Sequence, residues 1–346
     1  MDNPGSEDAP RLGNPVVVFD RLSVERFREE FLPALQPLVV KGLVKSWPAV
    51  QAALQSDAQA AAYFKALDVG HLADISICSP DQNGRFFYTP DMKGFNFGVE
   101  RQTISRLLDC LLALRDQPAP STLYSQSLYL PEYMPHFRAA HPFDLAPEYA
   151  SPRLWIGNRV RTQTHFDAAY NWACLVAGRR RFTLFSPEQI GNLYPGPIDF
   201  SPGGIPLSMV QIEEPDFEKY PRFRDAIPHA QYAELEPGDA LFIPYGWWHH
   251  VQSLTPFNLL VNYWWSENKV PRPPAFSALL VAIASWRDLP EPEKALWRRL
   301  MDLYVFGDHQ AMSAHLPEHR KGLSGPITPE VAMRLTAHLK NMLGVE

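Results

Sequence analysis

The fold is decided by the stretch Pro237-Gly-Asp-Ala-Leu-Phe-Ile-Pro-Tyr-Gly-Trp-Trp-His-His250. Its first three residues are a turn sequence, and the run that follows is too apolar and aromatic to lie in solvent. We expect a tight series of short strands here, at residues 231–235, 240–244, 249–254 and 258–265. A histidine pair that emerges from such a run should line an interior cavity.

A similar pattern of short apolar runs begins at about residue 121. Short apolar runs alternate with glycine and proline at residues 123–130, 154–160, 172–176 and 181–185. Such spacing is typical of a β-sandwich or barrel. Residues 187–229 form a long insertion dense in proline, glycine and acidic residues, and insertions of this size are usually functional or lid-like. We therefore expect a mainly β core at about residues 121–268.

Helices and strands are mixed in the N-terminal part. Ser23 should cap a helix that ends at Pro33. Two more helices are expected, an alanine-rich one at 48–67 and a leucine-rich one at 103–115, with strands at 37–41, 71–78 and 85–88. Residues 1–15 are rich in Asp, Glu, Gly and Pro and are expected to be disordered.

The sequence becomes helical beyond residue 268. Amphipathic segments rich in alanine, leucine and arginine predict helices at residues 276–286, 292–306 and 329–343. A few terminal helices cannot form much of a core by themselves, so they should pack on the β core or pair with a second chain. For residues 269–346 we favour a role in homodimerisation.

Composition and charge limit the possible functions. The chain of 346 residues is 46% hydrophobic and 20% charged, without an apolar run long enough for a membrane span, so we expect no membrane partner. The acidic N-terminal stretch lacks the features of a secretory signal, which makes a cytoplasmic location the default expectation. The net charge of -6 disfavours broad nucleic-acid binding, although residues 179–181 form a local arginine run. The widely spaced Cys78, Cys110 and Cys174 indicate buried thiols.

A candidate metal site follows from the segment Thr162-Gln-Thr-His165-Phe-Asp167. Side chains two residues apart on an extended segment share a face, so His165 and Asp167 can reach one ion. Taken alone, such a pair is more often a surface pair or a core histidine. A third ligand from the histidine pair after Trp248 changes this interpretation. Two imidazoles and one carboxylate leave three adjacent positions open, as Fe(II) oxygenases require, whereas structural zinc takes four protein ligands.

Three segments together resemble the JmjC/cupin-like (cupin 8) family of Fe(II)- and 2-oxoglutarate-dependent oxygenases, most closely an asparaginyl hydroxylase of that family. They are residues 165–171 (HFDAAYN), 178–187 (GRRRFTLFSP) and 237–253, within a likeness that spans 39–265. The resemblance implies a double-stranded β-helix (jelly-roll, cupin) core, N-terminal α/β elements and a C-terminal helical part. The oxygenase domain would then cover residues 16–268.

The resemblance also implies which residues hold iron. The family's third ligand is the first histidine after the tryptophan, which selects His249 over His250 and gives His165, Asp167 and His249 as the catalytic Fe(II) ligands. His250 should point away from the metal, as strand alternation also predicts.

The position of the co-substrate 2-oxoglutarate is likewise implied by the resemblance. Thr162 and Tyr124 match the hydroxyl groups that hold its far carboxylate, and Asn171 and Asn262 match amides near its metal-bound end. Arg180 stands where the family usually has lysine. Arginine can donate two hydrogen bonds to one carboxylate but is bulkier than lysine. The residue expected to anchor the co-substrate is therefore the one that departs from the family's pattern.

The substrate is the least determined part of the prediction. The resemblance favours hydroxylation of a protein or peptide side chain with consumption of dioxygen, and the 187–229 insertion would help to form a peptide groove. Some family members hydroxylate a modified tRNA base and others demethylate methyl-lysine, so both reactions remain open. A small-molecule substrate is also open. Two other classes remain: a cupin that binds metal without catalysis, and a scaffold that acts through its C-terminal helices.

Overall fold

A computed structural model of the protein describes residues 11–267 and 274–343. The chain divides into two compact units, one up to residue 265 and one from residue 266 onward. Of the segment 1–15, residues 1–10 lie outside the described residues, as do residues 268–273 and 344–346 of the C-terminal part. Asn14–Pro15 forms a short parallel pair with the strand Gln231–Leu235.

Two β-sheets make up most of the first unit. The described strands are β1 (Asn14–Pro15), β2 (Val17–Phe19), β3 (Leu38–Val40), β4 (Leu72–Cys78), β5 (Gly98–Thr103), β6 (Thr122–Tyr129), β7 (Pro152–Gly157), β8 (Arg161–Phe166), β9 (Tyr170–Ala177), β10 (Arg180–Phe185), β11 (Gln231–Leu235), β12 (Ala240–Ile243), β13 (Trp248–Ser253) and β14 (Asn258–Trp265). One sheet has the order β1-β11-β10-β13-β8 and the other β2-β3-β12-β9-β14-β7-β6-β4-β5. Along β8 to β10 and again along β12 to β14, consecutive strands alternate between the sheets. This confirms the predicted mainly β, jelly-roll core.

Helices flank the larger sheet and form the second unit. The described α-helices are α1 (Val24–Arg26), α2 (Leu32–Ala34), α3 (Pro48–Gln55), α4 (Asp57–Leu67), α5 (Ile104–Leu114), α6 (Leu130–Tyr133), α7 (Phe137–Ala140), α8 (Phe223–Ala226), α9 (Ala275–Trp286), α10 (Glu291–Tyr304), α11 (His309–Ser313) and α12 (Pro329–Leu343). A π-helical stretch, Phe27–Phe31, joins α1 to α2, and the Ser23 side chain caps α1 as predicted.

Strand β9 shows how the side chains divide between two cores. Trp172 and Cys174 pack with the helices on the outer face of the larger sheet, whereas Ala173 and Leu175 pack between the sheets against Phe182 of β10. Because successive side chains of a strand point to opposite faces, one continuous apolar strand can serve both cores. The space between the sheets is thus filled by small and branched side chains at one end.

Three N-terminal predictions need correction. The single helix expected at 48–67 is broken at Ser56, whose backbone is extended and whose side chain caps α4 by accepting a hydrogen bond from the Gln59 N–H. The strand expected at 85–88 makes only isolated bridges, because the Asn96 side chain takes the Phe87 N–H. The short edge strand β5 was not predicted, since its residues are mostly exposed and polar.

The 187–229 insertion is ordered by an apolar cluster of its own. Leu193, Val210 and Phe223 pack with Trp248 and Phe185 on the outer side of the smaller sheet. Short 3₁₀ turns, Pro187–Asn192 and Ile227–His229, begin and end it, with α8 beside the second. The insertion is therefore a packed segment and not an open loop.

Within the described ranges, no helix is both long and apolar enough to cross a membrane. The three cysteines are free thiols; Cys78 and Cys174 are buried and Cys110 is half-buried.

Candidate metal centre and its cavity

Strands β8 and β13 bring the two histidines of the predicted triad together. They pair antiparallel with His165 directly opposite His249, and the two ring centroids are 4.3 Å apart. Asp167 follows the end of β8, and its Oδ2 lies 3.6 Å from Nε2 of His249. One ligand atom from each of the three residues falls within 4.8 Å of the others. The structure thus brings the predicted ligands to one point between the sheets.

Both imidazole rings are held by the backbone. Nδ1 of His165 lies 2.8 Å from the Gln163 carbonyl, and Nδ1 of His249 lies 3.1 Å from the Trp247 carbonyl. A carbonyl only accepts, so each Nδ1 carries the proton and each Nε2 keeps a free lone pair for an ion. Burial, reinforced by the neighbouring His165, lowers the pKa of His249 to about 4, so this ring is neutral at pH 7.

A β-bulge puts Thr162 on the same face as His165. Residues three apart on a regular strand face opposite sides, but here Thr162 pairs with Val251 while His165 pairs with His249. One residue of β13, His250, therefore faces two residues of β8, which resets the alternation. As a result, Thr162 and His165 both line the cavity.

The cavity runs from the triad to Arg180. It contains about 380 Å³ of space free of protein atoms, part of it open to solvent. All eight predicted site residues line it, together with Trp155, Ala173, Phe182, Val251, Leu260 and Trp264. The apolar members enclose the polar ones.

Arg180 is the polar end of the cavity. Its side chain is buried, and Nε and Nη2 have no hydrogen-bond partner among the described residues. Burial lowers the pKa of the guanidinium to about 10, which still leaves it charged at neutral pH. Close by, the Tyr124 and Thr162 hydroxyls are 3.4 Å apart. A buried cation beside two hydroxyl groups is suited to a carboxylate.

His250 lies on the other side of β13. Its Nε2 is 3.3 Å from Oε1 of Glu213, a residue of the insertion, and both side chains are largely buried. It does not line the cavity. The two adjacent histidines therefore face different surroundings, and only His249 is placed to join His165 and Asp167.

Sequence reasoning missed Trp155, Gln163 and Glu213. Trp155 was one apolar residue in a run assigned to a strand. Its polar role comes from Asn262 on the neighbouring strand β14, which accepts a hydrogen bond from the indole N–H at 2.8 Å. Gln163 ties β8 to the insertion by donating to the Ser208 and Val210 carbonyls. These contacts join residues that are far apart in sequence, so no local sequence pattern predicts them.

The residues fit an iron and 2-oxoglutarate site. Two neutral imidazoles and one carboxylate, with no fourth protein ligand among the described residues, form a donor set suited to Fe(II) with open positions. The unpaired guanidinium of Arg180 fits the carboxylate end of a dicarboxylate.

A two-sheet β-fold that encloses two histidines and an aspartate defines the cupin class of proteins. The chain belongs to the cupin-like domain family, whose sequence profile matches residues 24–270. The resemblance to JmjC/cupin oxygenases is thereby confirmed, while the narrower likeness to an asparaginyl hydroxylase stays a prediction.

Several curated proteins are similar to this chain. Lysine-specific demethylase JMJ31 of Arabidopsis thaliana is 35% identical over 130 residues, 37% of this chain and 23% of that protein. HSPB1-associated protein 1 of Homo sapiens is 38% identical over 113 residues, 32% of this chain and 22% of that protein. Lysine-specific demethylase 8 of Danio rerio is 26% identical over 278 residues, 75% of this chain and 59% of that protein. The matches span about a quarter to three fifths of these relatives.

The two adjacent histidines should respond differently to truncation. We expect His249→Ala to weaken Mn(II) binding by more than about 100-fold, since it removes a ligand and not merely an outer hydrogen bond. His250→Ala should leave Mn(II) affinity within about threefold and instead lower thermal stability, because it empties a buried position beside Glu213. Titration of both variants with Mn(II), followed by electron paramagnetic resonance, measures this. Equal losses of affinity would contradict the assignment of His249.

Proposed function

We propose that the chain is an Fe(II)- and 2-oxoglutarate-dependent oxygenase that hydroxylates a side chain of a protein or peptide. One observation supports this most: a triad of two histidines and an aspartate shares its cavity with a buried guanidinium that has no hydrogen-bond partner in the described parts of the chain. The triad alone would suit many metal proteins. The cation at the other end adds a place for the far carboxylate of a ketoacid.

Each residue has a specific task in this proposal. His165, Asp167 and His249 hold the ion, with both rings fixed through Nδ1. Arg180 binds the far carboxylate, assisted by the hydroxyls of Tyr124 and Thr162. When bound, iron and 2-oxoglutarate supply the oxidising chemistry, in which dioxygen is reduced, the ketoacid becomes succinate and carbon dioxide, and one oxygen atom enters a C–H bond.

The apolar walls of the cavity serve the same reaction. Phe182, Val251 and Leu260 line the cavity together with its polar groups. Walls of this kind exclude water and keep the ionic contacts strong, because charges interact more strongly in a medium of low polarity.

A groove beside the cavity supports a polypeptide substrate. It is lined by Phe95, Phe97, Val99, Gln126, Ser127, Leu128, Tyr129, Tyr133, Pro202 and other residues, and we call it the aromatic groove. It offers about 1040 Å³ of open space, more than twice that of the cavity. Pro202 comes from the insertion, as the peptide-groove prediction requires.

Arg153 joins the aromatic groove to the cavity. Its guanidinium lies 5.4 Å from the centre of the Tyr129 ring in the groove and 5.6 Å from that of Trp264, which lines the cavity. It is fixed there by donating to the carbonyl and hydroxyl oxygens of Ser127. A chain lying in the groove would therefore pass the mouth of the cavity. The groove also carries Asp74 and Glu132, which disfavour the phosphates of tRNA.

The test of this function is succinate formation from 2-oxoglutarate. We expect the Fe(II)-loaded protein to release succinate, and to do so faster with a peptide library than with bulk tRNA or a metabolite mixture. The variant His165→Ala is the control and should release none, because it lacks a ligand. Stimulation by tRNA alone would overturn the polypeptide proposal, and turnover that survives in His165→Ala would overturn the oxygenase proposal.

Arg180 should matter for 2-oxoglutarate and not for the fold. We expect Arg180→Met to weaken 2-oxoglutarate binding by about 10- to 100-fold, the usual value of a charge-assisted contact. The same change should not lower thermal stability in the absence of co-substrate, because it removes a buried charge without a partner.

The matched control is Arg179→Met. Arg179 is partly exposed and lies 3.7 Å from Glu234, away from the cavity. Calorimetric titration with 2-oxoglutarate in the presence of Mn(II) compares the two variants. Equal affinities would show that Arg180 is not the anchor.

We also propose that the C-terminal helices pair with those of a second copy. Of the described helices, α9 is almost entirely apolar yet has no buried residue, and Leu279, Leu280 and Val281 are exposed. α10 likewise exposes Leu296, Trp297, Leu303 and Tyr304. Apolar surface of this extent is unusual on a monomer and suits a symmetric interface.

A charge placed in this surface should dissociate the dimer. We expect Leu280→Glu to convert the protein to a monomer in sedimentation velocity, because it buries an unpaired carboxylate at the interface. Ala58→Glu, at an exposed position of α4 in the first unit, adds the same charge and should leave the dimer intact. A wild-type protein that sediments as a monomer would contradict the proposal.

A further inference from the structure

A line of hydrogen bonds leads from Trp155 to the metal ligand Asp167. The Trp155 indole N–H donates to Oδ1 of Asn262 at 2.8 Å, and Nδ2 of Asn262 donates to Oδ1 of Asn171 at 3.3 Å. Nδ2 of Asn171 then donates to Oδ2 of Asp167 at 3.4 Å. The line crosses three neighbouring strands, β7, β14 and β9.

The direction of every bond in this line is fixed by its two ends. An indole N–H can only donate, and an ionised carboxylate can only accept. Trp155 therefore turns the oxygen of the Asn262 amide toward itself and its NH₂ group toward Asn171. Asn171 in turn presents its own NH₂ group to Asp167. Reversing either amide would set two acceptors or two donors against each other.

Water cannot easily replace these partners. Asn171 and Asn262 are both buried, with 5% and 2% of their surface exposed. Because a buried amide group is costly to leave without a partner, each of these orientations is favoured over its reverse. Asp167 itself is only half-buried and follows the end of β8, where the strand does not restrain its side chain.

We propose that Trp155 is a positioning residue for the metal site, which acts through Asn262 and Asn171 to hold the Asp167 carboxylate in its ligating orientation before an ion arrives. The inference rests on the proposed function, because it takes Asp167 as a metal ligand. The amides of Asn171 and Asn262, which are expected to flank the co-substrate, would then also orient Asp167. The inference also gives a role to a tryptophan that otherwise only lines the cavity.

Trp264 is the matched comparison for Trp155. It lines the same cavity, and the two rings contact each other edge to face at 5.7 Å. Its Nε1, however, has no hydrogen-bond partner among the described residues. A change of tryptophan to phenylalanine removes similar ring volume at either position, but only at position 155 does it remove the first donor of the line.

The experiment measures Mn(II) affinity by electron paramagnetic resonance without co-substrate. We expect Trp155→Phe to raise the dissociation constant for Mn(II) by about tenfold, the usual effect of losing an outer hydrogen-bond partner of a ligand. Trp264→Phe should change it less than about twofold. Asn262→Leu removes both the acceptor for Trp155 and the NH₂ group for Asn171 without adding a charge, so it should also weaken binding and serves if Trp155→Phe does not fold.

The outcomes separate this inference from the proposed function. Wild-type protein that fails to bind one Mn(II) per chain would overturn the metal site itself. Wild-type binding with equal affinities for Trp155→Phe and Trp264→Phe would overturn only the positioning role of Trp155. So would an Asn262→Leu variant that binds Mn(II) as tightly as the wild type.

Discussion

The pairing of β8 with β13 is the constraint on which the rest of the site depends. It sets His165 opposite His249 and, through the bulge, also brings Thr162 to the cavity face. A shift of β13 by one residue would exchange His249 with His250 and turn every side chain of the strand over. Such a shift is opposed, because it would bring His250, which is buried beside Glu213 on the other face, into the cavity and turn His249 out of it.

The insertion contributes to this register from outside the sheet. Gln163 donates to two carbonyls of the insertion, and the Ser208 N–H donates back to the Thr164 carbonyl. The bulged residues of β8, which lack a regular partner on β13, are thus hydrogen-bonded to the insertion. A bulge at the edge of a sheet needs such support, since its backbone groups would otherwise be unpaired. The long insertion therefore stabilises the metal site as well as contributing to the aromatic groove.

Local patterns were sufficient to predict two of the three candidate ligands and most of the strands. The spacing of His165 and Asp167 follows from strand periodicity, and the apolar run before His249 indicated a buried strand. The resemblance to a known family supplied the choice between His249 and His250 and the positions of Arg180 and Asn262. The bulge, the His250–Glu213 pair and the role of Trp155 were not predictable, because each depends on residues brought together only by the fold. The break at Ser56 was missed because helix propensity summed over a window hides a single cap residue.

The two ends of the cavity differ in how completely their polar groups are hydrogen-bonded. Around the triad, each imidazole and each amide already has a partner, so this end is ordered before any ligand binds. At the other end, Arg180 is buried and keeps two donors unpaired. A buried cation of this kind lowers stability until an anion reaches it. Ligand binding to the folded state must then stabilise the protein, by about 2.7 kcal/mol at 100 times the dissociation constant. The unsatisfied arginine thus couples the stability of the β core to occupancy of the site, whereas the ordered triad keeps its geometry in either state.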